Sequence, residues 1–254
     1  MEISIKRDGL TLRGTLLKPE NADKCPIAVI FHGLMSNRAY HKESMHSMLA
    51  EELLKRKVAS VRFDFNGHGE SDGDFQDMTV YGEILDACKI MEYVLSLDWV
   101  TEIYISGHSQ GALVGGMTAG YFRDKVKKLV MFAPAATIKD DALSGGCFGS
   151  YYDLNTPPEY IPMKNNEGED FKLGQAYMRT ARTLPVYETT AMFHGKTLIV
   201  HGTNDEAVSV NGGRRYSGYM ENVKLHIIEG ETHGLDTISL EDVIQEAADF
   251  LTTD

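Results

Sequence analysis

The chain has 254 residues, of which 43% are hydrophobic and 24% charged, and its formal net charge is −12 at pH 7. This length and apolar content are enough for one large α/β domain, or for one domain that carries an insertion. The acidic balance, without any long run of Lys or Arg, argues against nucleic acid and anionic membrane surfaces as partners.

The first half of the chain predicts a hairpin followed by alternating strands and helices. Residues 2–7 alternate in polarity, Asp8-Gly9 is a two-residue turn signal, and 10–17 continues as a second strand. The apolar run 26–31 is typical of a strand buried on both faces. The elements predicted next are helix 41–57, strand 58–65, helix 79–97, strand 102–106, helix 110–121 and strand 126–132.

The alternation stops after residue 132 and returns near residue 196. The segment 137–190 is rich in Gly and Pro and shows no strand pattern, and so long an irregular stretch inside a compact domain usually forms a lid. Beyond it we predict strand 196–201, helix 211–220, strand 223–228 and helix 239–251. We therefore predict a single α/β domain over 1–254, with a mostly parallel sheet, helices on both faces and a lid inserted at 137–190.

The sequence Gly107-His108-Ser109-Gln110-Gly111 matches G-x-S-x-G. It follows a predicted strand and precedes a predicted helix, which is the context of a nucleophile elbow. The motif alone is weak evidence, because glycine and serine are common. The strand-turn-helix setting makes Ser109 the candidate nucleophile.

A serine nucleophile needs a general base, and the base needs an acid that orients it. Asp205 follows strand 196–201 and His233 follows strand 223–228, which reproduces the order Ser, acid, His of one hydrolase fold. Glu206, next to Asp205, is a rival for the acid, and Glu231 is a weaker rival. We predict that Ser109, His233 and Asp205 form a catalytic triad.

Acyl transfer also requires backbone N–H groups that bind the developing oxyanion. One candidate donor is the N–H of Gln110, at the start of the elbow helix. The other is the N–H of Leu34, in the loop after strand 26–31, where Gly33 would permit the turn that points this N–H inward.

The histidines and cysteines give no sign of a metal or of a disulfide framework. His41 and His46 are five residues apart, which does not place both rings on one helix face. The other histidines considered are interpreted as satisfied loop residues near the rim of the site: His32, His68, His108 and His201. Three widely spaced cysteines fit a reducing compartment, and no signal peptide or membrane-spanning run is evident, so we expect a cytoplasmic protein without metal or cofactor.

Four segments of the chain resemble one known family. They are RFDFNGHGESDG at 62–73, GHSQG at 107–111, APAA at 133–136 and HGTNDEAV at 201–208, and they are similar to bacterial feruloyl (cinnamoyl) esterases of the α/β-hydrolase fold. The resemblance extends over nearly the whole chain. In this family the acid and the histidine have the same separation as Asp205 and His233.

The resemblance also implies substrate-binding residues in the lid. Family members carry an Asp and a later Tyr that bind the phenolic hydroxyl of an aromatic acyl group, and the matching positions are Asp141 and Tyr177. A site that bonds a buried hydroxyl discriminates against analogues without it. The chain departs from some members at Phe148 or Cys147, where they have Gln, and at Gly234, where they have Cys.

These expectations define a serine esterase whose partner is a small aromatic ester. Two alternatives stay open at this point: another serine hydrolase, such as a short-chain carboxylesterase, a thioesterase or a small peptidase, and a binding protein that has lost catalysis. The exposed N-terminal hairpin could also pair two copies into a homodimer.

Overall fold

A largely parallel sheet with helices on both faces forms the centre of the molecule. The computed structural model describes residues 1–165, 167–237 and 240–253. The strands are β1 (Glu2–Arg7), β2 (Leu10–Leu17), β3 (Cys25–Phe31), β4 (Ala59–Phe63), β5 (Val100–His108), β6 (Lys128–Phe132), β7 (Gly146–Cys147), β8 (Ser150–Tyr151), β9 (Tyr160–Lys164), β10 (Asp170–Gly174), β11 (Lys196–Gly202) and β12 (Val223–Ile228). The α-helices are α1 (Met45–Lys55), α2 (Val80–Leu95), α3 (Gln110–Phe122), α4 (Ile138–Leu143), α5 (Gln175–Ala181), α6 (Val186–Thr190), α7 (Asn211–Tyr219) and α8 (Leu240–Thr252).

Within the described residues, eight strands join in the order β1-β2-β4-β3-β5-β6-β11-β12. The pairs β1-β2 and β2-β4 are antiparallel, and the other neighbours are parallel. Asp8 and Gly9 join β1 to β2 with φ of 48° and 87°, as a hairpin turn with two left-handed residues requires. The predicted α/β-hydrolase architecture is confirmed.

The central strands are buried on both faces, which explains their continuous apolar sequences. Along β3, Ile27, Val29 and Phe31 face one core cluster, which includes side chains of α2 and α3. Ala28 and Ile30 face a second cluster, which includes side chains of α1 and α8. Successive side chains of a strand point to opposite faces, so this division requires helices on each side of the sheet.

The segment 137–190 has more regular structure than its sequence suggested. The expectation that it lacks strands is wrong: β7 pairs with β8 and β9 pairs with β10, and α4, α5 and α6 flank these two small hairpins. The strands are too short to show a clear alternation of polarity. Residue 166 of this segment lies outside the described residues.

Helix boundaries differ from the predictions by a few residues. Helix 41–57 begins at Met45, because the Ser44 hydroxyl caps it by accepting a hydrogen bond from the Ser47 N–H. Helix 239–251 corresponds to α8, and its predicted first residue lies outside the described part of the chain. Among the described residues, no helix has the length and apolar character needed to cross a bilayer.

Candidate active site

Ser109 stands on a sharp turn between β5 and α3. Its backbone has φ 56° and ψ −123°, a conformation that is rare for any residue with a side chain. Gly107 and Gly111 flank the serine without a positive φ, and they are needed because a side chain at either position would collide with neighbouring backbone. A Cβ atom on Gly107 would overlap the Gly111 carbonyl, and one on Gly111 would overlap the His32 carbonyl.

The side chains of Ser109, His233 and Asp205 lie in one hydrogen-bonded row. His233 Nε2 is 3.0 Å from Ser109 Oγ, and His233 Nδ1 is 2.8 Å from Asp205 Oδ2. The carboxylate can only accept, so Nδ1 carries the proton and Nε2 is free to accept from the serine hydroxyl. The loops that follow β5, β11 and β12 bring the three residues together at the carboxyl edge of the sheet.

The Asp205 carboxylate is fully buried and accepts hydrogen bonds on both oxygens. Oδ1 accepts the N–H groups of Ala207 and Val208 at 2.9 and 2.7 Å, and Oδ2 accepts from His233 and from His201, the latter at 3.0 Å. Burial alone would raise the pKa of Asp205, but the hydrogen bonds from His201 and His233 reverse that effect and hold it below the ordinary value. The group is therefore a carboxylate at neutral pH.

The two rival acids occupy other places. Glu231 is buried, and its Oε1 accepts the backbone N–H groups of Thr232 and Thr237, both at 3.0 Å. This carboxylate organises the loop that carries His233. Glu206 is exposed. The structure therefore puts Asp205, rather than either glutamate, against the imidazole.

His201 contacts the candidate triad, a role that our reading of the sequence missed. The interpretation of this histidine and of His32 and His68 as loop residues at the rim is wrong, because all three are buried in the interior. His201 is the penultimate residue of β11, four residues before Asp205, and the position of both residues near one strand end is the signal that could have linked them. His108 also has a structural partner, since its Nε2 donates to the His233 carbonyl at 2.8 Å.

The two candidate oxyanion donors flank the serine. A Cβ atom on Gly33 would lie 3.1 Å from Ser109 Cβ, so the 32–34 loop passes directly beside the nucleophile. The left-handed residue of this turn is Met35, with φ 56°, so Gly33 serves the loop through its lack of a side chain beside Ser109 rather than through a positive φ. Within the described residues, no hydrogen bond uses the N–H of Leu34 or of Gln110.

A cavity of about 760 Å³ lies under the lid next to the elbow. Ala135 joins the two, because it lines the cavity and its N–H donates to the Ser109 carbonyl at 3.1 Å. Aromatic side chains and the candidate substrate-binding residues line the cavity; they include Asp141, Phe148, Tyr151, Tyr152 and Tyr177. Cys147 lines it as well, so both candidates for the position where some family members have Gln face this space.

Asp141 and Tyr177 both line the cavity, but each has a partner in the protein. The Asp141 carboxylate accepts the Thr137 hydroxyl at 3.1 Å, and burial raises the pKa of Asp141 above its usual range. The Tyr177 hydroxyl donates to the side-chain oxygen of Gln110 at 2.6 Å, and burial raises the pKa of this phenol. Tyr177 is therefore bonded to the elbow as well as facing the lid cavity.

No set of three or more His, Cys, Asp or Glu side chains in the described residues is arranged to hold a metal ion. The geometry instead supplies a nucleophile, a base, an oriented acid and two free N–H donors. This combination can perform acyl transfer.

Comparisons with known proteins agree with this geometry. A family described as serine aminopeptidase, S33, matches residues 23–150. The structure of Est1E from Butyrivibrio proteoclasticus with ferulic acid bound is similar at 35% identity and a TM-score of 0.89, and the match covers 98% of this chain and 97% of that one. A second Est1E structure has 32% identity and a TM-score of 0.85, with the same coverage of the two chains.

More distant structures share the fold alone. The α/β-hydrolase domain-containing protein 10 from mouse has 19% identity and a TM-score of 0.75, covering 99% of this chain and 98% of that one. No curated protein matches the chain significantly. On the extent and identity of the Est1E match, the chain belongs to the α/β-hydrolases, as a serine hydrolase of the family of bacterial feruloyl (cinnamoyl) esterases.

Proposed function

We propose that this serine hydrolase cleaves esters of hydroxycinnamic acids through an acyl-enzyme intermediate. The observation that carries the proposal is the Ser109-His233-Asp205 hydrogen-bonded row beside an aromatic-lined cavity of about 760 Å³. The similarity to Est1E, which was solved with ferulic acid bound, supports the choice of acyl group.

In the proposed reaction, His233 Nε2 takes the proton of the Ser109 hydroxyl as Oγ attacks the ester carbonyl. The Leu34 and Gln110 N–H groups stabilise the negative oxygen, and Asp205 stabilises the imidazolium that forms. His233 then passes the proton to the leaving alcohol, and the acyl group remains on Ser109. A water that gives a proton to His233 attacks the acyl carbonyl, and His233 then returns this proton to Ser109 Oγ as the acyl–oxygen bond breaks and the acid leaves.

The cavity suits a planar aromatic acyl group. Phe148 and Tyr177, whose ring centres are 6.3 Å apart, offer apolar surface for a phenyl ring. Asp141 supplies an acceptor for a phenolic hydroxyl. A hydrogen bond from the phenolic hydroxyl to this carboxylate should favour hydroxycinnamates over analogues without the hydroxyl by a factor of about ten.

The family match favours a second candidate, a small serine peptidase, because the matching family is described as a serine aminopeptidase. The same triad could cleave an amide bond. The two candidates make different demands on the cavity, since an aminopeptidase must bind a free amino group.

Hydrolysis of three substrates separates the candidates: methyl ferulate, 4-nitrophenyl butyrate and alanine 4-nitroanilide. We expect methyl ferulate to have the highest kcat/KM, and Asp141→Ala to lower it about tenfold while leaving the butyrate ester unchanged. A preference for the butyrate ester with a silent Asp141→Ala would reject the hydroxycinnamate assignment, and turnover of the anilide would favour the peptidase.

The nucleophile itself is tested by Ser109→Ala. We expect turnover of every ester to fall by about three orders of magnitude or more, with the melting temperature unchanged. A fluorophosphonate probe should label the parent and not the variant. Failure of the parent to label would point to a binding protein without catalysis.

A further inference from the structure

Three buried polar side chains form a hydrogen-bonded chain from the lid to the core. The Tyr177 hydroxyl, on α5, donates to Gln110 Oε1 at 2.6 Å, and Gln110 Nε2 donates to Glu83 Oε2, on α2, at 2.7 Å. Each of the three residues is 1% exposed. The chain therefore links the lid, the elbow helix and the core, and none of it is in contact with bulk water.

Gln110 is the member of this chain that adjoins the proposed chemistry. It follows Ser109 directly, and its backbone N–H is a proposed oxyanion donor. Both ends of its side-chain amide are bonded, one to the lid and one to α2, so the side chain has no freedom to change rotamer. This restraint also limits the movement of the Gln110 backbone, on which the direction of the N–H depends.

Packing alone does not explain why a carboxyl group, rather than an apolar side chain, is buried at position 83. Burial raises the pKa of Glu83 to about 8, against the opposing effect of the Gln110 hydrogen bond, so the group is mostly a neutral acid at pH 7. Its other oxygen, Oε1, has no hydrogen-bond partner among the described residues, and His68 Nδ1 lies 3.9 Å from it. An apolar side chain of this size would fill the same space without the cost of burying a carboxyl group.

We propose that Glu83 and Tyr177 are positioning residues that hold the Gln110 N–H in the oxyanion hole. The lid is then part of the catalytic machinery as well as a cover for the cavity. This inference rests on the proposed function, because it assigns a role within that acyl-transfer site.

Three single variants and one double variant test the proposal with 4-nitrophenyl butyrate, whose acyl group lacks the phenol that lid residues would bind. A loss of activity on this ester cannot come from a lost contact to a phenolic hydroxyl. We expect Glu83→Met and Tyr177→Phe each to lower kcat about tenfold with KM changed less than twofold, since an oxyanion donor acts mainly in the transition state. Glu83→Gln keeps an acceptor for Gln110 Nε2, and its kcat should stay within about threefold of the parent.

The double variant Glu83→Met/Tyr177→Phe distinguishes positioning from separate structural effects. If the chain acts as one unit, the double variant loses no more than the worse single variant. Additive losses, a loss carried by KM, or kcat values within twofold of the parent in both single variants would overturn the proposal. Tyr177→Phe removes one oxygen from a side chain that otherwise keeps its shape, so it remains informative if Glu83→Met does not fold.

The same assay separates this inference from the proposed function. A parent that cleaves the butyrate ester but not methyl ferulate would refute the hydroxycinnamate assignment and still measure the effect of Glu83. A parent without turnover of any ester would refute both.

Discussion

At the scale of single residues, the Asp205 carboxylate contacts two imidazoles, and only that of His233 faces Ser109. We expect His201→Leu to lower kcat/KM about tenfold, because Asp205 loses one of the hydrogen bonds that orient it and a bond to a charged group contributes about 1.5–3 kcal/mol. The pKa of Asp205 should also rise, since the hydrogen bond from His201 lowers it.

The control for this prediction is His201→Gln, whose amide N–H can still donate to the carboxylate. Its kcat/KM should lie closer to that of the parent than the value for His201→Leu does. Equal kcat/KM values for all three proteins would show that His201 only fills space.

Glu83 is expected to make stability depend on pH in a direction opposite to that of most carboxylates. The pKa of Glu83 is raised to about 8 in the folded protein. The folded protein therefore keeps a proton on this carboxyl group that the unfolded chain releases above about pH 4.5. The free energy of unfolding therefore loses a contribution as pH rises from about 4.5 to 8. Glu83→Gln does not titrate, and its stability relative to the parent should grow by a few kcal/mol between pH 5 and pH 8.

Urea unfolding of the parent and Glu83→Gln at these two pH values measures the effect. Glu241→Gln, a change in the exposed first turn of α8, serves as the control and should show a much smaller change with pH. A constant difference between parent and Glu83→Gln would mean that Glu83 is ionised in the folded protein.

At the scale of secondary-structure elements, a close backbone contact at Gly174 holds part of the lid against the 3₁₀ helix Phe75–Asp77. Gly174 joins β10 to α5, and a Cβ atom there would overlap the Gln76 carbonyl in the 3₁₀ helix Phe75–Asp77. Gly174→Ala should displace β10 from this helix and destabilise the protein by about 1–3 kcal/mol. Because α5 carries Tyr177, turnover of methyl ferulate should fall as well.

Gly218→Ala is the matched control. Gly218 lies in α7 with no neighbouring atom within 4 Å of an added Cβ, so alanine should leave stability unchanged or raise it by up to about 1 kcal/mol. Differential scanning calorimetry of the two variants compares them directly. A Gly174→Ala protein as stable as the parent would show that the lid can move away from Gln76 without cost.

Most of the sheet was predictable from the sequence, because β3 and β6 carry apolar runs and the strands of the N-terminal hairpin alternate in burial. The 223–228 strand and the 2–7 and 10–17 hairpin agree with the structure residue by residue. The strands of the lid could not be predicted from the sequence, because β7 and β8 have two residues each and their pairing depends on contacts with the rest of the lid. Local pattern cannot indicate an element that tertiary contacts create.

Some residues of the candidate site could likewise be predicted from the sequence, and others could not. The residues on loops after buried strands, Ser109, Asp205 and His233, could be found by their order along the chain. Glu83 could not, because a buried polar residue within a helix shows its partner only in three dimensions. His201 was missed, although its place near the end of β11, four residues before Asp205, could have linked the two. Gly33 lies in the predicted loop, and the structure adds that it lets this loop approach Ser109 closely.

At the scale of the whole molecule, four buried histidines should control the response to acid. Burial lowers the pKa of each ring: to about 3 for His68 and about 4 for His108, and below the ordinary value for His32 and His46. The unfolded chain binds these four protons near pH 6.5, whereas the folded protein binds them only at lower pH. The contribution of these rings to stability is therefore fully present above about pH 7 and is lost as pH falls.

The change in the free energy of unfolding with pH follows from the protons that the two states bind. Between pH 6.5 and pH 5 the histidines favour unfolding, because the unfolded chain takes up protons on rings that the folded protein keeps neutral, and Glu83 opposes them by about one proton, so the free energy of unfolding should fall by a few kcal/mol over this range. His46→Gln removes one such ring, which has His108, His32 and Arg62 as its charged or titratable neighbours, and should reduce the slope by up to about 1.4 kcal/mol per pH unit. His226→Gln changes a ring that is 44% exposed and should leave the slope nearly unchanged. Urea unfolding at pH 5, 6 and 7 gives the three slopes, and equal slopes for the parent and His46→Gln would mean that the buried rings are protonated without unfolding.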